Sequence, residues 1–334
     1  MFESIISVEN ILASWQEFLR GKRNKYDVQV FSLSLMGNIF ALHRDLKEKR
    51  YIHGPYRAFR VSDPKSRDIH KALVRDRLLH HAMYRILYPF FDKKFIFDSF
   101  SCRKEKGTHK ALERFDCFIR KESRNNTRQC WALKCDIRKF FANIDHITLL
   151  SILEKYIKDK NVLWLCGQVI KSFNSSGEEY CGLPLGNLTS QLFANVYMNE
   201  FDQYIKHELG IKYYIRYADD FVICSHDRGV LEILIPAINT FLQERLYLSM
   251  HKDKVFIKTI GSGIDFLGWV HFPDHRVLRT ATRRRMERKL SESENQMVYN
   301  SYLGLLRWGN TKKIAVKIER FNPDFRNGNF DFMR

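Results

Sequence analysis

The sequence predicts an α+β fold, because both strand patterns and helix patterns occur along the chain. Two runs rich in aromatic and β-branched residues, Lys212–Arg216 and Phe221–Cys224, predict a β-hairpin around Asp219 and Asp220. Stretches before this hairpin carry apolar residues at helical spacing. The last segment predicts a basic helix over residues 280–290 and then a more apolar one. Helices therefore flank a central group of strands.

Length and composition are typical of a globular protein with two or three subdomains. The chain has 334 residues, of which 45% are hydrophobic and 28% are charged. Lys and Arg total 56 against 38 Asp and Glu, which gives a net charge of +18. This excess favours a polyanionic partner, either nucleic acid or an anionic membrane face. The aromatic fraction of 14% suits stacking on bases, although most aromatic side chains are expected in the core.

Targeting and cysteine patterns indicate the compartment. No apolar run is long enough to span a bilayer, and the N-terminus lacks the basic and apolar regions of a signal peptide. The seven Cys residues are scattered without a CxxC pair, so neither a disulfide framework nor a zinc site is predicted. We therefore expect a protein of a reducing cytoplasm.

Helical spacing dominates the first part of the chain. Ser7 precedes an apolar stripe that ends at Gly21, and a second helix is predicted over roughly residues 30–48. A third helix is predicted over residues 75–91, with Pro89 marking its end.

A β-hairpin is predicted between these helices, over residues 56–72, and its tip carries Lys65 and Arg67. A mobile flap of this kind could grip a triphosphate, with Lys as a point charge and Arg as a bidentate fork. Exposed basic turns are also common, so this pattern alone is weak.

The middle of the chain carries strands that end in polar residues. A short buried strand ends at Asp136, and Asp145 is predicted to cap the helix that follows. Residues 182–191 form a loop that opens a long helix closed by Gly210. The N-terminus of that helix could meet a phosphate or a base, but a plain capped loop explains the residues equally well. Further strands are predicted over residues 246–257 and 264–272.

Asp136, Asp219 and Asp220 are the candidate catalytic residues. Asp is a common turn residue, so the adjacent pair alone would indicate only a hairpin turn. A third carboxylate at the end of another strand, within a basic and aromatic chain, favours a functional site. Three like charges repel one another, and divalent cations remove that difficulty. Carboxylate oxygens suit Mg²⁺, and a pair of such ions would support nucleotidyl transfer or nuclease hydrolysis.

Six blocks of the chain match a known family in order. They are Pro64-Lys65 with Arg67, Asp136 with Phe141, Leu185-Gly186 to Gln191, Tyr217 to Asp220, Lys254, and Phe266 to Gly268. The chain therefore resembles a reverse transcriptase. The resemblance implies a right-hand polymerase fold, with a ferredoxin-like antiparallel sheet in the palm and a helical thumb. It places the fingers at residues 1–95, the palm at 96–274 with some finger elements near 150–182, and the thumb at 275–334.

The resemblance also implies roles for individual residues. The metal would be held at Asp136, Ile137, Asp219 and Asp220. The incoming nucleotide would meet Lys65, Arg67, Phe141, Leu185, Gly186, Gln191 and Lys254. Phe141 would exclude a 2′-hydroxyl because its ring leaves no room for the extra oxygen, and Lys254 would lie near the pyrophosphate leaving group. Phe266, Leu267 and Gly268 would form the primer grip. The implied cofactor is a pair of Mg²⁺ ions, with Mn²⁺ able to substitute in vitro, and the implied partners are dNTPs, template RNA, a DNA or RNA primer and the cDNA product.

The block before the catalytic hairpin narrows the resemblance. Many bacterial and retroviral enzymes have Gln-Gly and Ser-Pro there, whereas this chain has Leu185-Gly186 and Ser190-Gln191. That departure is similar to the reverse transcriptases of diversity-generating retroelements. Three further stretches agree, Gly54 to Arg57, Lys106 to His109, and Gln191 to Tyr197. No maturase, endonuclease or RNase H domain is expected beyond the thumb helices.

The narrower resemblance implies a particular activity. These enzymes copy a template-repeat RNA with errors opposite adenine, together with a small basic accessory protein, in a bacterial or phage-infected cell. We expect Leu185 and Arg67 to set the low fidelity, because both should lie near the nascent base pair. Leu185 replaces a polar Gln and so lacks hydrogen bonds that could report on pairing.

Two alternatives stay open from the sequence. The first is a group II intron-like, retron or defence-associated reverse transcriptase, and an adjacent pair of template and variable repeats in the genome would exclude it. The second is an inactive RNA-binding scaffold. Retention of the three carboxylates with Lys65 and Arg67 argues against the scaffold, because a pure binder gains nothing from carboxylates where phosphates lie.

A basic helix near the C-terminus completes the candidate residues. Its cations are Arg279, Arg283, Arg284, Arg285, Arg288 and Lys289. We expect them to contact the nucleic-acid backbone, although a solvated helix face is the alternative. Part of this surface, or the helix near residues 7–20, could instead dock a partner.

Overall fold

The computed structural model describes residues 1–62, 65–175, 179–293 and 295–321. Its elements form an N-terminal helical region with a two-stranded hairpin, a central region built on a four-stranded sheet, and a C-terminal region with a small sheet and helices. None of the helices in the described ranges is both long and apolar enough to cross a bilayer.

The N-terminal region consists mainly of helices packed on one long helix. They are α1 (Phe2–Ile6), α2 (Val8–Phe18), α3 (Tyr26–Leu33), α4 (Leu35–Lys47) and α5 (Val74–Asp92). Ser7 caps α2 by accepting a hydrogen bond from the Asn10 backbone N–H, as its position in the sequence predicts.

Two helix predictions in this region need correction. The helix expected over residues 30–48 is two helices, because Ser34 adopts φ −124° and ψ 42° and interrupts the backbone ladder. Pro89 lies inside α5 rather than at its end. The buried side chains of Leu87 and Phe91 hold the last turn on the core, so the helix continues past the proline.

The predicted hairpin is present as β1 (Arg57–Val61) and β2 (Arg67–Lys71), which pair antiparallel. Its strands are mostly exposed, and it is anchored at its base. Lys71 forms an ion pair with Asp27 of α3 at 2.7 Å. Lys65 lies in the turn and Arg67 opens the second strand, while Pro64 lies outside the described residues.

The central region contains the main sheet and the helices that cover it. Its elements are α6 (Thr108–Glu122), β3 (Trp131–Asp136), α7 (His146–Tyr156), α8 (Lys160–Ile170), α9 (Leu188–Gln203), β4 (Tyr214–Tyr217), β5 (Asp220–Ser225), α10 (Arg228–Leu246) and β6 (Phe256–Thr259). The strand order is β4-β5-β3-β6, with every pair antiparallel. This order, with helices between β3 and β4 and between β5 and β6, confirms the predicted ferredoxin-like sheet.

The two faces of this sheet belong to different cores. Leu133 and Phe221 face the larger core, which includes α9 and the N-terminal helices. Ala132 and Val222 face a smaller core shared with α6 and the C-terminal helices. Because both faces are covered, β5 is apolar at consecutive positions rather than alternating. The sheet is thus fixed from both sides, and its end at Asp136 and Asp220 is only partly buried.

The strand predicted over residues 246–257 is wrong for most of its length. α10 continues to Leu246, and Tyr247 then adopts a left-handed conformation with φ 49° that ends the helix. Residues 252–254 form one turn of 3₁₀ helix before β6 begins. The burial of Leu246 and Leu248 on either side of an exposed residue imitates strand alternation in the sequence.

The C-terminal region contains β7 (Ile264–Phe266), β8 (Trp269–His271), β9 (Arg276–Leu278), α11 (Thr280–Ser291), α12 (Gln296–Leu306) and α13 (Lys312–Phe321). The single strand expected over residues 264–272 is two strands, because Leu267 and Gly268 have φ of 51° and 86° and turn the chain. Both predicted helices are present, and α13 follows them.

The core under the main sheet should respond strongly to loss of an aromatic ring. Phe201 of α9 is fully buried against Tyr214 and Phe221. We expect Phe201→Ala to lower the free energy of unfolding by about 3–5 kcal/mol, because the lost contacts leave a cavity. Phe40→Ala is the matched control, since Phe40 is 53% exposed, and it should change stability by less than about 0.5 kcal/mol. Urea titration followed by circular dichroism measures both, and equal losses would contradict the assignment of the core.

Candidate active site

The turn between β4 and β5 presents the central carboxylate, and residues 217–220 are called the Asp219 turn below. Ala218 has φ 56°, a left-handed conformation that reverses the chain within two residues. The Asp219 carbonyl accepts a hydrogen bond from the Ile137 N–H at 3.2 Å. Asp136 and Asp220 are direct partners in the β3–β5 register. All three predicted carboxylates therefore lie at one end of the main sheet.

Asp219 lies in a largely buried and negatively charged position. Burial raises the pKa of its carboxyl above the ordinary value, and the neighbouring charge of Asp136 adds to the rise. The positive charges of Lys254 and Arg67 act in the opposite direction. The fold thus brings two of the predicted nucleotide-binding cations close to the predicted catalytic carboxylates.

Lys254 pairs directly with Asp136. Its Nζ lies 2.8 Å from Asp136 Oδ1, and the two side chains are half-exposed. The 3₁₀ turn over residues 252–254 places this ammonium group at the end of β3, where it neutralises one of the two repelling carboxylates. A role of Lys254 beside the leaving group stays a prediction.

Asp220 has a different partner, one that the sequence did not indicate. Lys134 of β3 places Nζ 2.9 Å from Asp220 Oδ2, while Asp220 Oδ1 is buried with no hydrogen-bond partner among the residues that the structure describes. Burial raises the pKa of Asp220 to about 6, and the ion pair with Lys134 opposes the rise. The same ammonium group lies 5.5 Å from the centroid of the Phe266 ring. Lys134 therefore contacts both Asp220 and a residue of the predicted primer grip.

The arrangement suits a divalent cation in its donor chemistry. Within the described ranges, the structure brings together no group of three or more His, Cys, Asp or Glu side chains that could hold a metal. Two carboxylates that repel each other, Asp136 and Asp219, nevertheless lie beside the unpartnered Oδ1 of Asp220. Hard oxygen donors of this kind fit Mg²⁺, which completes its coordination with water and phosphate oxygens. The part of Ile137 in such a site stays a prediction.

The loop before α9 packs against the basic hairpin, β1 and β2. The Leu185 carbonyl accepts a hydrogen bond from the His70 N–H of β2 at 3.1 Å, and Asn187 Nδ2 donates to the His70 carbonyl at 3.2 Å. Gly186 has φ 106°, and a Cβ there would lie 2.9 Å from the Ile69 side chain. The loop is therefore fixed, by backbone pairing and close contact, to the strand that begins with Arg67.

Phe141 lies on the same loop's other side. It belongs to a 3₁₀ turn over Phe140–Ala142, and its carbonyl accepts a hydrogen bond from the Leu183 N–H at 2.7 Å. Its ring is half-buried. Gln191 lies in the first turn of α9, which follows this loop. The loop before α9 is thus hydrogen-bonded on one side to the strand of Arg67 and on the other side to the turn of Phe141.

The C-terminal region faces the tip of the basic hairpin. Phe266 is fully buried, and Leu267 and Gly268 form the half-buried turn beside it. A cleft of about 700 Å³ is lined by Lys65, Gly268, Arg279, Arg284, Arg285 and Arg288. Arg279 pairs with Asp265 at 2.6 Å, and Arg283 pairs with Glu287 at 3.1 Å along α11. Lys289 lies on the same helix.

Two buried cations, Lys134 and Arg216, are functional candidates that sequence reasoning missed. Both stand inside apolar strands, where a charged side chain is rare unless it is paired. That interruption of an apolar run is the available signal, but it does not reveal the partner.

Comparison with known proteins agrees with this arrangement. The family described as reverse transcriptase (RNA-dependent DNA polymerase) matches residues 62–271. Protein YkfC of Escherichia coli strain K12 is 27% identical over 278 residues, covering 69% of this chain and 68% of YkfC. The group II intron-encoded protein LtrA of Lactococcus lactis subsp. cremoris is 22% identical over 315 residues, covering 72% of this chain and 50% of LtrA.

Other relatives extend the match. The putative COX1/OXI3 intron 2 protein of Saccharomyces cerevisiae is 22% identical, covering 84% of this chain and 38% of that protein. Among solved structures, the telomerase of Candida albicans in complex with a telomeric RNA fragment has a TM-score of 0.54 at 12% identity, covering 85% of this chain and 57% of that one. The apo telomerase of Candida tropicalis, truncated from its C-terminal domain, has a TM-score of 0.52 at 11% identity, covering 73% of this chain and 60% of that one. These two structures show the fold alone.

The antiparallel sheet with paired carboxylates at its end defines the class as a polymerase-type nucleotidyltransferase. More specifically, the chain belongs to the reverse transcriptase family, whose members are RNA-directed DNA polymerases. It spans half the length or less of the two intron-encoded relatives.

When divalent cations are removed, protonation of Asp220 should make the free energy of unfolding depend on pH. The native pKa of about 6 lies above the ordinary 3.8, so the folded chain binds this proton more tightly than the unfolded chain. Stability from this group is present below about pH 4 and is lost as pH rises through about 6, by on the order of 3 kcal/mol. We expect Asp220→Asn to flatten the unfolding free energy across that window, measured by urea titration in EDTA.

The matched control is Asp253→Asn, because the Asp253 side chain is 91% exposed. This variant should retain the native pH dependence. Parallel curves for the native chain and Asp220→Asn would show that Asp220 is not the titrating group.

Proposed function

We propose that the chain is the RNA-directed DNA polymerase of a diversity-generating retroelement, copying a template-repeat RNA into cDNA with errors opposite adenine. One observation carries the proposal. The loop that bears Leu185 is paired through its backbone to the strand that begins with Arg67, and Arg67 acts electrostatically on Asp219. A side chain that departs from the usual Gln is therefore carried by a loop that is paired to the basic hairpin.

The chemistry of this side chain explains how errors would arise. A Gln side chain offers a carbonyl oxygen and an amide donor, whereas Leu185 offers neither. A mispair in contact with Leu185 then leaves no polar protein group unsatisfied, so discrimination against it is weaker. Because the backbone of the loop is fixed, the weaker discrimination against mispairs would come from the Leu185 side chain and not from movement of the loop.

The catalytic carboxylates would hold Mg²⁺ in this function. Asp136 and Asp219 would be the main ligands, with Asp220 and Ile137 beside them, and Mn²⁺ would substitute in vitro. The bound ions would supply charge stabilisation for in-line displacement at the nucleotide phosphate. Lys65, Arg67 and Lys254 would bind the triphosphate, and Phe141 would exclude the ribose 2′-hydroxyl. Gly186 and Gln191 would border the same pocket.

The remaining surfaces would hold nucleic acid. In this proposal residues 1–95 form the fingers, 96–274 the palm and 275–334 the thumb. The turn over Phe266 to Gly268 would grip the primer, and the cations of α11 would contact the template–primer backbone across the basic cleft. A small basic accessory protein would complete the assembly.

A second candidate has its own support, since LtrA and the yeast protein are intron-encoded. The chain would then be an intron-type reverse transcriptase of ordinary fidelity. The error spectrum of the cDNA separates the two functions, because the second predicts no concentration of substitutions at template adenines.

Loss of Asp219 should abolish polymerisation without loss of nucleic-acid binding. We expect Asp219→Asn to reduce primer extension on an RNA template, with dNTPs and Mg²⁺, by at least ~10²-fold, since charge stabilisation by bound metal contributes several kcal/mol. Asp253→Asn should extend normally. If the native chain binds the template–primer but does not extend it, even with its neighbouring gene product and cognate RNA, an inactive scaffold explains the protein better.

Leu185 should control fidelity rather than rate. We expect Leu185→Gln to lower substitutions opposite adenine by roughly 10-fold, about the effect of one neutral hydrogen bond of ~1.4 kcal/mol, in sequenced cDNA. Leu33→Gln is the matched control, because Leu33 is 87% exposed on α3. An adenine error rate that is unchanged in Leu185→Gln would exclude Leu185 as the determinant, whichever retroelement the chain serves.

A further inference from the structure

Arg216 is a fully buried cation at the end of β4, two residues before Ala218. Its side chain makes five short contacts. Nε lies 2.7 Å from Asp202 Oδ1, and Nη2 lies 2.6 Å from Asp202 Oδ2 and 3.0 Å from Ser99 Oγ. Nη1 lies 3.0 Å from the Ala218 carbonyl oxygen and 3.4 Å from Asn195 Oδ1.

These contacts account for all five N–H donors of a guanidinium group. Asp202 is also fully buried and accepts a further hydrogen bond from the Tyr214 hydroxyl at 2.7 Å. The pair is therefore a closed network without solvent, in which the bidentate carboxylate fixes the plane of the guanidinium. A lysine has three donors on a single nitrogen and cannot reproduce this fork.

One acceptor of this network belongs to the Asp219 turn itself. The Ala218 carbonyl is part of the peptide group that leads into Asp219, and Ala218 adopts φ 56°, which costs about 1–2 kcal/mol for a residue with a Cβ. The next carbonyl, that of Asp219, accepts from the Ile137 N–H. The peptide groups on both sides of Asp219 are thus held, one by a buried side chain and the other by the backbone after β3.

We propose that Arg216 is a positioning residue for the polymerase reaction, which orients the Asp219 carboxylate by clamping the Ala218 carbonyl against Asp202. The kinetic test of this inference rests on the proposed polymerase function. The contact between Arg216 and the Ala218 carbonyl does not depend on that function. Arg216 is fully buried in the core, so it would act on the reaction only through the Asp219 turn. Its loss should therefore change the rate of the chemical step more than the binding of nucleotide or template–primer.

Arg216→Lys is the first test, because lysine keeps the positive charge opposite Asp202 but loses the fork. We expect kcat in primer extension to fall by roughly 10²-fold, the cost of a displacement of about 1 Å at a reacting group. KM for dNTP and Kd for template–primer should change by less than about threefold, since those contacts are elsewhere. Circular dichroism at the assay temperature checks that the variant is folded.

Arg103→Lys is the matched control. Arg103 has a nearly buried side chain, pairs with Asp92 at 2.7 Å and donates to the carbonyls of Ile96 and Ser99, but it makes no contact with the Asp219 turn. It should lose thermal stability without a selective loss of kcat. An equal fall in kcat for both variants, or a fall in Arg216→Lys that matches its unfolded fraction, would overturn the proposal in favour of a purely structural role.

Hydrogen exchange tests the clamp without reference to activity. In Arg216→Lys, a peptide covering residues 217–222 should exchange faster than in the native chain, whereas one covering residues 131–135 should not. If the native chain does not polymerise, the proposed function fails, yet the exchange result still decides the clamp. Unchanged exchange over residues 217–222 would refute it.

Discussion

Burial of negative charge at the end of the main sheet is the constraint on which the rest of the site depends. Asp219 and Asp220 have raised pKa values because burial disfavours their charged forms, and Asp136 adds repulsion. Two ion pairs offset part of this negative charge, one between Lys254 and Asp136 and one between Lys134 and Asp220. Within the described residues, Asp219 forms no ion pair of this kind. Asp219 is thus the carboxylate that the protein neutralises least, and bound cations would contribute most there.

The fold distributes this compensation over distant parts of the chain. Lys134 comes from β3, Lys254 from the turn before β6, and Arg67 from the basic hairpin, while the turn between β4 and β5 carries Asp219. Only the strand order β4-β5-β3-β6 brings these segments to one end of the sheet. Assembly of the site is therefore inseparable from completion of the sheet, and a local segment cannot form it alone.

The sequence could predict residues whose chemistry is visible in their type and position. The positions of Asp136 and Asp219 after apolar strands indicated both carboxylates. Two β-branched runs indicated the hairpin whose turn carries Asp219. Partner choice was not predictable, because Lys134 reaches Asp220 only through the β3–β5 register. Arg216 was missed for the same reason, since its acceptors come from three separate segments, α9, the Asp219 turn and the stretch at Ser99. Helix breaks at Ser34 and Tyr247 depend on single backbone conformations, which apolar periodicity does not encode.

The way Leu185 is held has a consequence for how fidelity can change in such an enzyme. Its loop is fixed through the backbone groups of Leu185 and His70 and through Asn187, not through the Leu185 side chain. Gly186 lies too close to Ile69 to accept a side chain. Position 185 can therefore vary in chemistry while the loop, the strand of Arg67 and the carboxylates stay in place. A change in base discrimination at this position would then leave the catalytic geometry intact, which is what a mutagenic but active polymerase requires.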